Sequence, residues 1–417
     1  MREMKESEIA WVGTVPANWE VKRGKYVLRL LSRPTKESDE VITCFRDGEV
    51  TLRKNRRDEG FTVSFKEIGY QGVEPGDLVI HGMDGFAGSI GISDSRGKSS
   101  PVLVVCDSDE NKRYIMYYLR SMAYNDVFSA LATGIRVRSC DLRWNKLAEL
   151  PYILPDIREQ GKIVCAIESC TAKVDALIAN VQAQIEKLKA YKQSLITETV
   201  TKGLDPAVPM KDSGVEWIGT TPEHWPVIPS KFLFANCDER RRENDVQLTA
   251  SQKYGMISQE EYMRRENARI VLADKGLENW KHVEPFDFVI SLRSFQGGLE
   301  MSEVTGCATW HYIVLRARQE IHPYYYKWLF KSSMYIIALQ RTCNYIRDGQ
   351  DLRYSNFVKV PLCVPTLVEQ RQIADYLEQK CTQIDRLIAI KQAKIAKLEQ
   401  YKRSLIYEYV TGKKEVS

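Results

Sequence analysis

The chain has 417 residues, 44% of them hydrophobic, which is enough to bury two cores of ordinary size and marks a globular protein. Sixty basic residues against 55 acidic ones leave a formal charge of +5, which permits a polyanionic partner but does not establish one. No run approaches the roughly eighteen apolar residues of a membrane span, MREMKESEIAW is too polar for a signal peptide, and ten cysteines without a C-x-x-C suit reduced thiols better than disulfides or zinc; a cytoplasmic protein without membrane contact is expected.

In chain order, the first recognisable element is EIAWVGTVPANWEV at 8–21, which returns as GVEWIGTTPEHWPV at 214–227. Within 1–150, Val73-Glu-Pro-Gly-Asp-Leu-Val-Ile80 reads as a turn leading into a short apolar strand, and Tyr114 to Arg120 as an aromatic-rich helix. Val283-Glu-Pro-Phe-Asp-Phe-Val-Ile290 and Tyr325 to Lys331 repeat both within 206–360. Each half closes alike, on Gly134-Ile-Arg136-Val-Arg138-Ser-Cys-Asp141-Leu-Arg143-Trp144 and on Tyr345-Ile-Arg347-Asp-Gly-Gln350-Asp351-Leu-Arg353-Tyr354.

The segments that follow, 151–205 and 361–417, are the best-preserved part of the duplication: from Pro151 to Thr201 and from Pro361 to Thr411, 23 of 51 aligned positions are identical. Asp156-Ile-Arg-Glu159 and Thr366-Leu-Val-Glu369 read as capping boxes that open helices. Ile163, Ile167, Val174, Leu177, Val181, Leu188, Tyr191 and Leu195 keep an a/d heptad frame, widened by Ile178 and Ile185. The second copy has Ile373, Leu377, Ile384, Leu387, Leu398, Tyr401 and Leu405, with Ile388 and Ile395 widening and Lys391 and Lys394 interrupting. Helices over 156–200 and 366–410 would each run about 68 Å at ~1.5 Å per residue, with Gly203 and Pro206 stopping the first. A stripe that long needs a partner helix. Antiparallel pairing of the two copies carries the chain from one globular half to the other and back, a dumbbell with pseudo-twofold symmetry in which 8–21 lies beside the end of the second helix.

The W-[VI]-G-T-x-P-x-x-W motif, the P-G-D-L-V-I turn and strand, the I-R…D-L-R segment and the P-x-x-x-P-x-x-x-E-Q helix opening, each present twice, resemble the specificity subunits of type I restriction-modification systems (HsdS), over essentially the whole chain. The resemblance implies an α+β fold: two mixed α/β target-recognition domains separated by two long antiparallel coiled-coil helices, each domain reading one half of a split site in double-stranded DNA. It also implies that methylation and cleavage belong to partners. Two methyltransferase subunits carrying S-adenosylmethionine would dock on the helices 156–200 and 366–410, with restriction subunits supplying ATP and Mg chemistry where present.

The residues themselves carry no visible catalytic, cofactor or metal site. There is no N-P-P-[FY] tetrapeptide for adenine methylation, and Gly91-Ile-Ser-Asp-Ser-Arg-Gly97-Lys98-Ser99 has one residue too many for a phosphate loop. Of Asp77 and Asp84 only Asp77 recurs, as Asp287, and it suits a turn; the five histidines show no ligand spacing. What remains is binding chemistry. Lys54, Arg56, Arg57, Arg240, Arg241 and Arg242, with Arg264 and Arg265, are candidates for phosphate contact. The shared Arg136/Arg347 and Arg143/Arg353 suit phosphate contact or loop bracing, because two domains reading different half-sites should differ where they read bases. The unshared Arg138, Arg293, Gln296 and Gln350 are the better base readers. Gly82, Gly85, Gly88 and Gly91 permit close backbone approach to DNA or serve a plain turn. The rival reading is a coiled-coil adaptor with two protein-binding heads and no DNA affinity.

Overall fold

The structure is a computed structural model that describes residues 2–56, 67–130, 142–270, 273, 275–343 and 352–416. It divides into two compact units, Met1–Gln182 with Ala393–Ser417, and Ala183–Gln392. Both dividing points fall inside long helices, so each unit holds one α/β body and a stretch of both helices.

The body of the first unit is built on a four-stranded antiparallel sheet in the order Arg29–Leu30, Leu103–Asp107, Leu78–His81, Ile90–Ile92. Alternation along the strands decides which face each side chain serves. Leu78, Ile80, Val104 and Cys106 face the helix Lys112–Tyr124 and pack on Tyr114, Ile115, Tyr118 and Met122, whereas Val79, Leu103 and Val105 face a second core with Ile42, Val50 and Val73. The sheet is therefore buried on both sides. The second unit repeats the plan with Phe234–Cys237, Ile313–Ala317, Phe288–Ile290 and Glu300–Met301: Phe288, Ile290 and Leu315 face one core, Val289 and Val314 the other. Its aromatic helix is broken in two, Pro323–Phe330 and Ser333–Arg341. The near-match to a phosphate loop is excluded by geometry, since Gly97–Ser99 is a strand paired with Gln71–Val73.

The long helices run Ile157–Lys202 and Leu367–Val410, 46 and 44 residues. Within the second unit Lys192 bonds Asp385 while Gln184, earlier on the first helix, bonds Lys391, later on the second, so the strands of the pair run in opposite directions. Within the first unit Lys402 bonds Asp175, and Tyr114 donates to the carbonyls of both Ile153 and Val410. The heptad frame needs correction. Ile163, Ile167, Val174, Val181, Ile185 and Ile196 are buried on the first helix, but Leu177 and Tyr191 are 49% and 58% exposed. On the second, Ile373, Leu377, Cys381, Ile384 and Leu405 are buried, while Leu387 and Tyr401 are 47% and 53% exposed. A helix of 3.6 residues per turn drifts by about 20° per heptad from a strict 3.5 repeat, and these four positions have rotated out of the seam.

Candidate nucleic-acid interface

The repeated motifs turn out to be one joint made twice. Trp19 Nε1 donates to Glu159 at 3.1 Å, and Trp225 Nε1 to Glu369 at 3.0 Å. The neighbouring glutamine is buried in both copies: Gln160 accepts from Asn111 N and donates to Pro155 O, and Gln370 accepts from His322 N and donates to Pro365 O. A single E-Q dipeptide thus ties the opening tryptophan motif, the aromatic helix and the long helix together. The helix ends join as well. Gly412, in a left-handed conformation, lies against Pro16 and Trp19, and Gly203, likewise left-handed, against Trp225. Ile9, Val12 and Val15 share a core with Leu405, Ile406 and Val410, and Tyr407 donates to Trp11 O.

One capping expectation is corrected here. Thr366 and Glu369 form the reciprocal box even though Trp225 also bonds Glu369, but Asp156 alone caps the first helix, accepting from Arg158 and Glu159, because Arg2 engages both oxygens of the Glu159 carboxylate. Burial pushes the Glu369 carboxyl up, but hydrogen bonds from Thr366, Trp225 and His224 outweigh it and bring it down to about 2.

The described candidate DNA contacts lie in connecting segments and short helices: Lys54 in Arg53–Asn55, Arg264 and Arg265 in Gln259–Glu266, Gln296 in Ser294–Gly297. Arg57, Arg136, Arg138, Arg347 and Gln350 fall outside the described residues. Lys54 pairs with Glu40, and Arg56 with Asp47 and Glu49 above the Phe45 ring; Arg264 and Arg265 share Glu261. Pairs this exposed are worth roughly 0–1 kcal/mol, so an incoming phosphate can exchange for the carboxylate at little cost. Arg240 donates to Asn279 O, Arg241 is half-buried, and exposed Arg242 bonds Glu239 and Glu284.

Arg143 and Arg353 each start a short helix, Trp144–Glu149 and Tyr354–Phe357. The Leu142 amide bonds Gly82 O, which sets Arg143 beside the glycine loop. That loop's glycines serve the protein itself: a Cβ on Gly85 would meet Leu142 at 2.4 Å, one on Gly91 the Gly48 carbonyl at 2.0 Å, and Gly88 is left-handed. Asp77 orders its turn as expected, accepting from Glu74 N and pairing with Arg33; Asp287 does the same with Glu284 N and Arg316. Arg293 is exposed just after the strand Phe288–Ile290. Gln296 lines a polar cleft of about 640 Å³ together with Gln252, Lys253, Lys327 and Gln340.

The sequence reading missed one cluster. Glu239, His282 and Glu284 bring donor atoms within 4.8 Å of one another. Glu284 lies two residues beyond His282, but Glu239, which completes the group, comes from the loop after the strand Phe234–Cys237, some 40 residues earlier, so local spacing does not mark the cluster.

No protein-family model matches the chain. It is 22% identical to the putative type I restriction enzyme MjaX specificity subunit of Methanocaldococcus jannaschii, with 96% of this chain and 95% of that one aligned. Among solved structures, a chain from work on complex assembly and conformational transition of the type I R-M system superposes with a TM-score of 0.65 at 14% identity, over 95% of this chain and 99% of that one. The HsdS subunit from Thermoanaerobacter tengcongensis aligns over 98% and 99% at 14% identity with a TM-score of 0.49. Across nearly its whole length the chain is thus similar to a putative type I restriction enzyme specificity subunit, and it shares the mixed α/β fold of a chain from the type I R-M system. None of the described helices is long and apolar enough to cross a membrane.

Proposed function

We propose that this relative of the specificity subunits is the DNA-recognition component of a type I restriction-modification complex, that each α/β body reads one half of a bipartite duplex site, and that the paired helices fix the distance between halves. The observation that carries the reading is the duplicated joint, Trp19–Glu159–Gln160 and Trp225–Glu369–Gln370, which fastens two similar bodies to the same pair of helices in the same way. A chain that must present two related but different surfaces at a fixed spacing needs such a joint; an enzyme with one active site does not.

The helices supply the docking surface for catalytic partners. Leu177 with Tyr401 in the first unit, and Leu387 with Tyr191 in the second, are equivalent residues left exposed on the helix pair. The same apolar feature offered twice fits two copies of one methyltransferase subunit, which would bring S-adenosylmethionine, with ATP and Mg reserved for a restriction subunit. The test is binding to duplex DNA with the methyltransferase present. Affinity should fall steeply with salt, and the modified genome should carry methylated split sites that vanish when this chain is deleted. Binding to proteins alone, with no salt-dependent shift on DNA, would favour the adaptor.

A further inference from the structure

The cluster around His282 gains meaning when set beside its counterpart in the first unit. Gly97 pairs with Val73 and Gly306 with Val283, so Gly72 corresponds to His282 and Arg96 to Thr305. The Gly72 amide bonds Arg33 O as the His282 amide bonds Glu239 O, so Arg33 corresponds to Glu239. Asp39 and Asp245 each accept from the backbone three residues earlier, at 2.8 Å, and Glu74 and Glu284 open the same turn.

In the first unit this frame holds a permanent cation: Arg96 reaches Asp39 at 3.0 Å and also bonds Glu74. In the second unit that arginine is a threonine and a second arginine has become Glu239. An imidazole stands in the space, with Asp245, Glu239 and Glu284 around it and Arg242 and Arg316 beside the two glutamates. The arginine that bridges Asp39 and Glu74 has no counterpart at its position, and one carboxylate has been added.

His282 is fully buried. Its Nδ1 lies 2.8 Å from Asp245 Oδ2, while its Nε2 has no hydrogen-bond partner and lies 3.5 Å from Glu284 Oε1. A carboxylate that orients one ring nitrogen so that the other faces further carboxylates is the arrangement of a metal-binding histidine. Ligands about 2.1 Å from a tetrahedral ion sit ~3.4 Å apart, so only a small closure is required of Glu239.

We propose that Glu239, His282 and Glu284 bind a divalent transition-metal cation, zinc being the best fit to one imidazole nitrogen and two carboxylate oxygens, with Asp245 orienting the imidazole. Magnesium and calcium, which favour all-oxygen shells, fit less well. Arg242 and Arg316 each pair with both glutamates; Arg316 is held by Asp287, whereas the Arg242 side chain is 52% exposed and swings into solvent as the ion enters. The ion would pin the 238–245 arm to the strand Lys281–Val283 and free Arg242 for another anion.

The experiment needs no DNA, so its outcome is independent of the recognition reading. Zinc is titrated into the full chain in competition with a chromophoric chelator; zinc held by cysteine thiols is common to all variants and cancels. We expect one ion per chain to be lost in His282→Asn and in Glu284→Gln, binding about 10- to 100-fold weaker in Asp245→Asn, and tighter binding in Arg242→Gln, which removes the more exposed of the two competing guanidinia. Circular dichroism without metal separates misfolding from ligand loss, and Glu284→Gln, at a partly exposed position, carries the test if the buried variant unfolds. Equal zinc uptake by the parent and Glu284→Gln, or no gain in Arg242→Gln, would overturn the proposal and leave an ion-pair cluster in which His282 takes the place of Arg96.

Discussion

Arg143 and Arg353 begin short helices in both bodies, and a residue common to two domains that read different sequences contributes grip more than discrimination. Arg143→Ala and Arg353→Ala should weaken binding to every duplex and lower the salt slope by about 1 each. Arg293→Ala and Gln296→Ala should instead relax preference at one half-site by roughly 1–3 kcal/mol; competition assays on matched and mismatched duplexes showing the opposite pattern would reverse the assignment. The Glu369 carboxylate makes a separate prediction. Its folded value, about 2, lies below the ordinary 4.5, so the stability it contributes is present above about 4.5 and lost as pH falls toward 2. Thermal melts from pH 6 to 2.5 should show a steeper acid decline for the parent than for Glu369→Gln, and parallel curves would show the carboxylate to be energetically idle. At this scale the sequence is a mixed guide. Asp77 and the helix-stopping Gly203 are legible, since turns and caps have local signatures. The roles of Gly85 and Gly91 are not, because what crowds them, Leu142 and Gly48, comes from elsewhere in the chain.

Both long helices can be located from their caps and apolar periodicity, but not their interface. A heptad frame places Leu177 and Tyr191 in the seam, but the drift of about 3.6 residues per turn against a 3.5 repeat leaves them exposed while Ile185 and Ile196 are buried. The same drift leaves the two exposed leucine and tyrosine pairs available for partners. Leu177→Glu should weaken docking of one methyltransferase subunit by about 2 kcal/mol, near 30-fold, and leave the other intact, with Leu387→Glu doing the converse. Native mass spectrometry would then show one subunit per chain for each single variant and none for the double. Two bound subunits in every case would place docking elsewhere. The Glu159 carboxylate marks the limit of pattern reading in another way: its spacing from Asp156 promises a reciprocal cap, but Arg2, far earlier in the chain, engages both of its oxygens.

For the whole molecule the central claim is that the paired helices act as a ruler between two readers. Duplication and helix length suggest this reading from the amino-acid sequence alone. The level at which the two helices face each other is not legible there, and the Gln184–Lys391 bond supplies it. Seven residues inserted after Gln184 and seven after Lys391 would enter the pair at one level and keep both stripes in phase. The readers would then be separated by a further ~10 Å, at about 1.5 Å per residue. The measurement is the methylated motif of cells carrying the lengthened chain. At ~3.4 Å per base pair, both half-sites should keep their sequence while the gap between them grows by up to about 3 base pairs. A lengthened chain that still methylates efficiently with the original gap would contradict the account.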